Sequence, residues 1–497
     1  MSNLNFRKRR NRRGFFFHLS RHLPTFIVLF VIALVLGGGI FAFSRFVLKK
    51  QPGDRPVFAT ASEATKSNGT PSASAEADPD DPIGQLIDQA DRLAKGYDYD
   101  KAMELLSQDP SIQSDPRISE ALASFQSQKD SLVAADVKNV THVFFHSLIM
   151  DTSKAFDGDS RMEGYNSVMT TKDEVLKILD ALYNDGYVLV RIHDIAYETT
   201  DENGNPAFTW GTVMLPEGKK PIVMSQDDVC YYPYMDGDGF ASKIVVGEDG
   251  RPTCEMKMDD GSISTGSYDL IPLLNDFIDE HPDFSYKGAK AIIALTGYEG
   301  ILGYRTASSY SETPDYESEK EQAARVAQCL RDDGWELASH SWGHLWMGVS
   351  DDPENPYKIS DERFYTDTDK WENEVESLIG PTDIYIYPNG NDVADWHPYT
   401  EENYRYQYLA SKGFRYFCNV DASKPAWIQK GPDYLRMARR NLDGYRLYED
   451  MIQEDPAKKR LSDLFDASQI FDPSRPTPVT WNYGHTQNET PAPEPEQ

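Results

Sequence analysis

Residues 138–485 predict an α/β domain, a distorted (β/α)7-type barrel, and three features carry that reading. From Val140 onward short apolar runs alternate with stretches of helical spacing, the pattern of a parallel sheet with crossover helices. Ile222 to Ser225, preceded by Pro221, reads as a short buried strand, apolar and then small. Asp227, Asp228, His340, Pro388 and Asp421 all fall just after expected strand ends, where barrels of this kind place their chemistry.

The chain has 497 residues, with 80 acidic against 50 basic side chains and a formal charge of −30. That balance excludes nucleic acid as a general partner. Residues 1–24 run against it: Arg7, Lys8, Arg9, Arg10, Arg12, Arg13 and Arg21 form a basic segment expected to stay in the cytoplasm. The uncharged run Phe26 to Phe43 spans roughly 30 Å as a helix, so 25–47 is expected to cross the membrane once and send the rest outside. A cleaved signal peptide is the alternative, although its apolar core is usually shorter. Residues 48–82 turn to Ser, Ala, Thr, Pro and acids, a disordered stalk. Residues 83–135 return to helical spacing and read as a small helical spacer: Leu86, Ala90, Leu93 and Ala94 mark one helix, Ala102, Leu105 and Leu106 a second, Ile118, Leu122 and Phe125 a third. A-K-G-Y-D-Y-D-K-A-M-E-L-L within it resembles one tetratricopeptide-type unit, too few for a solenoid.

In the barrel, strands are expected at His142–Phe145, Tyr187–Ile192, Ile222–Ser225, Ala289–Leu295, Trp335–Ala338, Ile384–Tyr387 and Arg415–Asn419. Helices are expected at Lys172–Tyr183, Leu270–Phe277, Glu319–Arg331 (with Ser318 as a cap), Trp371–Leu378 and Glu402–Ser411. The Gly- and Asp-rich stretch 230–266 reads as an insertion or lid over the site. Cys230 and Cys254 either staple that loop or stay free thiols like Cys329 and Cys418. Residues 486–497 read as a disordered tail.

Adjacent carboxylates at a strand end repel each other and usually need a cation or a proton between them. His340 and His344 are four apart, a spacing at which two imidazoles reach one metal from a helical turn or tight loop. One acid and two imidazoles leave coordination positions open for water, the mark of a catalytic site. A solvated turn for the acids and a structural pair for the imidazoles are the bland alternatives. Tyr387 and Trp427 serve equally well as an aromatic sugar-binding wall or as core. His193 most simply caps the second β-α unit, and Asp421 either positions Arg439 or Arg440 or is a surface acid.

With these residues placed, 140–448 resembles the polysaccharide deacetylases of the NodB-homology family, carbohydrate esterase family four. L-P-E-G-K-K-P-I-V-M-S-Q-D-D-V stands where that family writes L-P-x-G-K-x-P-V-x-L-T-F-D-D-G. A-S-H-S-W-G-H matches its second motif, Y-P-N-G one form of its third, and V-F-F-H-S-L-I-M its early strand. The resemblance implies Asp227 as general base and Asp228, His340 and His344 as ligands of a divalent metal, zinc by default with cobalt or nickel as substitutes. It implies the backbone N–H of Asn389 as an oxyanion donor, and Pro388 and Tyr387 in the substrate-binding third motif.

Gln226 and Val229 replace the family's Phe and Gly, and the third motif lacks an Arg. The C-terminal Leu-x-His that would donate a proton is absent; Arg439 and Arg440 occupy its region, and His146 and His397 are the substitutes for the acid. The function implied is a membrane-anchored, metal-dependent removal of N-acetyl, and also O-acetyl, groups from an extracellular polysaccharide such as peptidoglycan or poly-N-acetylglucosamine. The alternative is an inactive relative that binds glycan or organises the envelope.

Overall fold

The computed structural model describes residues 81–481, apart from 205, 350–354, 356, 396 and 424–426. The chain divides into two units, Met1–Ala75 and Glu76–Gln497, and every described residue lies in the second. The basic segment 1–24, the expected membrane span 25–47, nearly all of the expected stalk 48–82 and the expected tail 486–497 lie outside the described residues. Among the described residues no helix is long and apolar enough to cross a membrane.

Eight parallel strands build the barrel: β1 (Thr141–Phe145), β2 (Tyr187–Leu189), β3 (Lys220–Gln226), β4 (Ile292–Leu295), β5 (Glu336–Ser339), β6 (Ile384–Ile386), β7 (Tyr416–Val420) and β8 (Leu435–Asn441). Seven of them close a ring in the order β3-β4-β5-β6-β7-β8-β1 and back to β3. The eighth explains the distortion. β2 pairs with the first half of β3 (Tyr187 opposite Lys220, Leu189 opposite Ile222), whereas β4 pairs only with its end (Ile292 opposite Ser225, Ile293 opposite Gln226). The short β2 therefore wedges open the amino end of the ring and leaves the carboxyl end closed.

Side chains alternate across the strands as a pleat requires. Ile293, Leu295, Leu337, Tyr385 and Phe417 pack outward on the helices Lys172–Asn184, Leu270–Glu280, Tyr316–Asp332, Asp361–Trp371 and Tyr404–Ser411. Ile292, Ala294, Ala338, Ile384 and Ile386 fill the lumen. This inner core continues into three helices, Pro82–Lys95, Tyr99–Ser107 and Pro116–Asp130, through Ala90, Ala102, Leu106 and Phe125. Lys287 N–H on Gly96 O (2.7 Å) and Tyr97 hydroxyl on Asp283 O (2.9 Å) tie the first of these helices to the barrel.

Strand β8 was not legible, because Arg436, Arg439 and Arg440 break its apolar pattern. All three are buried, and each guanidinium is held by a carboxylate: Asp392 (2.7 Å), Asp227 (2.6 Å) and Asp463 (2.7 Å). Pairing of this kind makes a charged strand tolerable inside a fold.

Two expectations are corrected here, the lid and the Ser318 cap, and the open choice for the cysteines falls to free thiols. The insertion after Cys230 is not a lid: Lys243–Val246, Pro252–Lys257 and Ile263–Gly266 form an antiparallel three-stranded sheet against helices Leu270–Glu280 and Tyr316–Asp332, outside the barrel. Cys230 and Cys254 are free thiols, as are Cys329 and Cys418. Ser318 caps nothing either, since its helix begins a turn earlier, at Tyr316.

Candidate active site

The carboxyl ends of β3, β5 and β6 meet at one rim. Asp227 N–H donates to Phe145 O (2.8 Å), which carries the β3–β1 ladder one residue beyond the strand. Asp228 then takes a left-handed backbone (φ +57°), a conformation costing roughly 1–2 kcal/mol that Asp tolerates better than most residues. That turn sends the two carboxylates in different directions. It also explains why Val229 stands without strain where a Gly was expected: the left-handed residue is Asp228.

Asp227 is buried with Arg439, whose Nη1 donates to its Oδ1 (2.6 Å) and to Ser225 Oγ (3.2 Å). Ser225 Oγ also lies 3.0 Å from His142 Nε2. Burial resists charge on Asp227, but Arg439 and then His340 outweigh it and hold the carboxyl at about 2. Asp228 is lowered too, burial being opposed by His344 and His340. Its Oδ1 accepts from Tyr232 hydroxyl (3.0 Å), and its Oδ2 lies 3.5 Å from His344 Nε2.

His340 follows β5 and donates from Nδ1 to Ile386 O (2.8 Å). A carbonyl only accepts, so Nδ1 carries the proton and the Nε2 lone pair stays available. Burial pushes this imidazole down to about 4, which keeps it neutral, the form that binds metal. Ser341 and His344 are both left-handed (φ +53° and +51°), forming a tight turn. Asp367, on the helix Asp361–Trp371, clamps that turn through Trp342 N–H (2.9 Å) and Gly343 N–H (2.7 Å). One donor atom each from Asp228, His340 and His344 all lie within 4.8 Å of one another. A carboxylate and two imidazoles fit zinc, and cobalt or nickel, better than calcium or magnesium.

Around this centre the remaining candidates separate. His146 is half-buried, its Nδ1 sits on Val168 O (3.1 Å), and it is near enough to bias the ionisation of both Asp227 and Asp228. His397 is exposed, with its carbonyl on Arg436. Pro388 and Asn389 form a 3-10 turn after β6, with Asn389 left-handed (φ +59°). Gly390 beside them (φ +68°) could not carry a Cβ, which would sit 2.4 Å from Val420.

Tyr387 is corrected from the sugar wall to the core: it is fully buried, with its hydroxyl 2.9 Å from that of Tyr399. Trp427 donates its indole N–H to Asp421 (2.9 Å) and lies against Arg436 (5.3 Å), and its carbonyl accepts from Ala438 N–H (3.1 Å) on β8. The Asp421 side chain accepts from Trp427 and Ser423 and positions neither arginine. His193 caps nothing; it bridges Glu336 and Asp383 at the amino rim.

The roles of Tyr232, Asp367 and Ser225 were missed. Ser225 and Tyr232 flank the acid pair in sequence, but no spacing signals that their hydroxyls turn toward the site, and Asp367 reaches it from the separate helix Asp361–Trp371. The left-handed residues carried no signal at all.

No family model matches the sequence, and no curated protein matches it. Among solved structures the chain is similar to that of IcaB from Ammonifex degensii, at 12% identity over 61% of this chain and 92% of that one. The TM-score is 0.31, too low for the likeness to carry an argument.

Proposed function

We propose that the chain is a metal-dependent hydrolase that removes acetyl groups from an extracellular or cell-wall polysaccharide. The carrying observation is the divergence of two adjacent acids: Asp227 pairs with a buried Arg439, while Asp228 joins two imidazoles in one donor set. A structural turn needs neither arrangement.

In this reading Asp228, His340 and His344 hold the cation. When bound, a divalent ion supplies Lewis acidity, making water a stronger acid and polarising an acyl oxygen. Asp227, ionised and fixed by Arg439, takes the proton from the attacking water as the new C–O bond forms. The Asn389 backbone N–H steadies the developing oxyanion. As the C–N bond breaks, His146 delivers a proton to the departing nitrogen, so acetate and a free amine result. For an O-acetyl substrate the alcohol leaves with less help. The proposed helix at 25–47 would keep the enzyme at the envelope, with an acetylated glycan such as peptidoglycan or poly-N-acetylglucosamine within reach of the stalk.

Acetate release from N-acetylglucosamine oligomers, measured before and after chelation and on restoring zinc, tests the proposal. Release that vanishes with chelator and returns with zinc is expected. Glycan capture with no acetate under any condition would instead establish the binding-module alternative.

A further inference from the structure

Asp269 precedes the helix Leu270–Glu280 and is fully buried. As a helix cap it needs only its bond to Leu270 N–H (2.8 Å). Three further donors converge on it: Leu148 N–H (3.0 Å), Gln226 Nε2 (2.8 Å) and Tyr231 hydroxyl (2.6 Å). They come from segments that bracket the candidate site. Gln226 immediately precedes the acid pair, Tyr231 follows it, and Leu148 lies two residues beyond His146. Gln226 Nε2 also donates to His146 O (3.2 Å). Both of its partners are acceptors only, which settles the orientation of the amide. Gln226 thus uses its amide to couple two chain segments, where a phenyl ring could only pack.

We propose that Asp269, acting through Gln226, is a positioning residue that holds the His146 loop in register with the strand end carrying Asp227 and Asp228. The inference rests on the deacetylase reading, with His146 as the proton donor. A carboxylate that accepts four bonds in a dry interior is costly to disturb, because each broken bond leaves a buried polar group unsatisfied. The loop therefore has one position, and the imidazole is carried in it without direct contact from Asp269.

The test uses the full chain loaded with zinc. Gln226→Met keeps the volume and removes the bridge; Asp269→Asn removes the charge. Both should lower acetate release from an N-acetylglucosamine oligomer by about tenfold to a hundredfold, the cost of a displaced general acid. Hydrolysis of p-nitrophenyl acetate, whose leaving group departs unprotonated, should stay within about threefold. Hydrogen exchange at the Leu148 amide should quicken in both variants. Tyr231→Phe takes a donor from Asp269 without touching the loop; it should lower the melting temperature and leave the ratio of the two rates unchanged. Equal losses on both substrates, or Leu148 exchange as slow as in the wild type, would overturn the inference, and the Gln226 variant decides it if Asp269→Asn does not fold. Wild-type protein that releases acetate from neither substrate would sink the deacetylase reading alone, since the exchange result still judges the tie.

Discussion

His193 and His340 are the same side chain beside two carboxylates, at opposite rims of one barrel. At the amino rim Glu336 and Asp383, at and just before the starts of β5 and β6, take both ring nitrogens of His193. Burial opposes its charge, but the two acids outweigh it and raise the imidazole to about 10. At the carboxyl rim His340 gives one nitrogen to a backbone carbonyl and keeps the other open toward Asp227 and Asp228, and burial lowers it to about 4. Composition does not separate a latch from a ligand. What separates them is whether the carboxylates close on both nitrogens or leave one lone pair exposed to a third partner.

The strongest way to break this contrast is at the free acid. Asp227→Asn should cost about a thousandfold in turnover, within the range for loss of a general base, while bound metal is retained; acetate assay and metal analysis read the two together. Arg439→Leu should come next. It leaves Asp227 buried without its partner and should remove about 3–5 kcal/mol of stability, read by denaturant unfolding. An unchanged unfolding midpoint would mean that the pair contributes nothing.

Tyr232→Phe sharpens the comparison at the metal side. It removes the hydrogen bond to Asp228 Oδ1 and should weaken zinc binding about tenfold by competition titration, as loss of a ligand's supporting bond does. His193→Gln should have the smallest effect, about 1 kcal/mol or less because the side chain is partly exposed, with turnover unchanged. Its pH dependence carries a definite sign. A raised imidazole stabilises the fold fully below its unfolded value of 6.5, and that contribution disappears as the pH climbs through about 10. The stability gap between wild type and variant should therefore close across that window.

The strands that position the acids and imidazoles were legible because each is a short apolar run flanked by polar punctuation. Asp227, Asp228, His340 and His344 were legible because their spacing has chemical meaning. β8 was not, since a strand with three arginines looks like surface until its partners Asp392, Asp227 and Asp463 are seen from distant segments. Tyr387 misled because an aromatic beside a motif gives no clue to which side of the sheet it faces. The contrast between His193 and His340 was equally hidden. It depends on Glu336 and Asp383, which share no motif with either histidine.

Metal content settles the central claim most directly. Wild-type protein, Asp227→Asn and His344→Ala would be purified alike, equilibrated with zinc, desalted and analysed for bound ion. One equivalent in the first two and almost none in the third is the predicted result. Equal zinc in all three, or zinc lost from Asp227→Asn but kept by His344→Ala, would contradict the division of labour between the two acids.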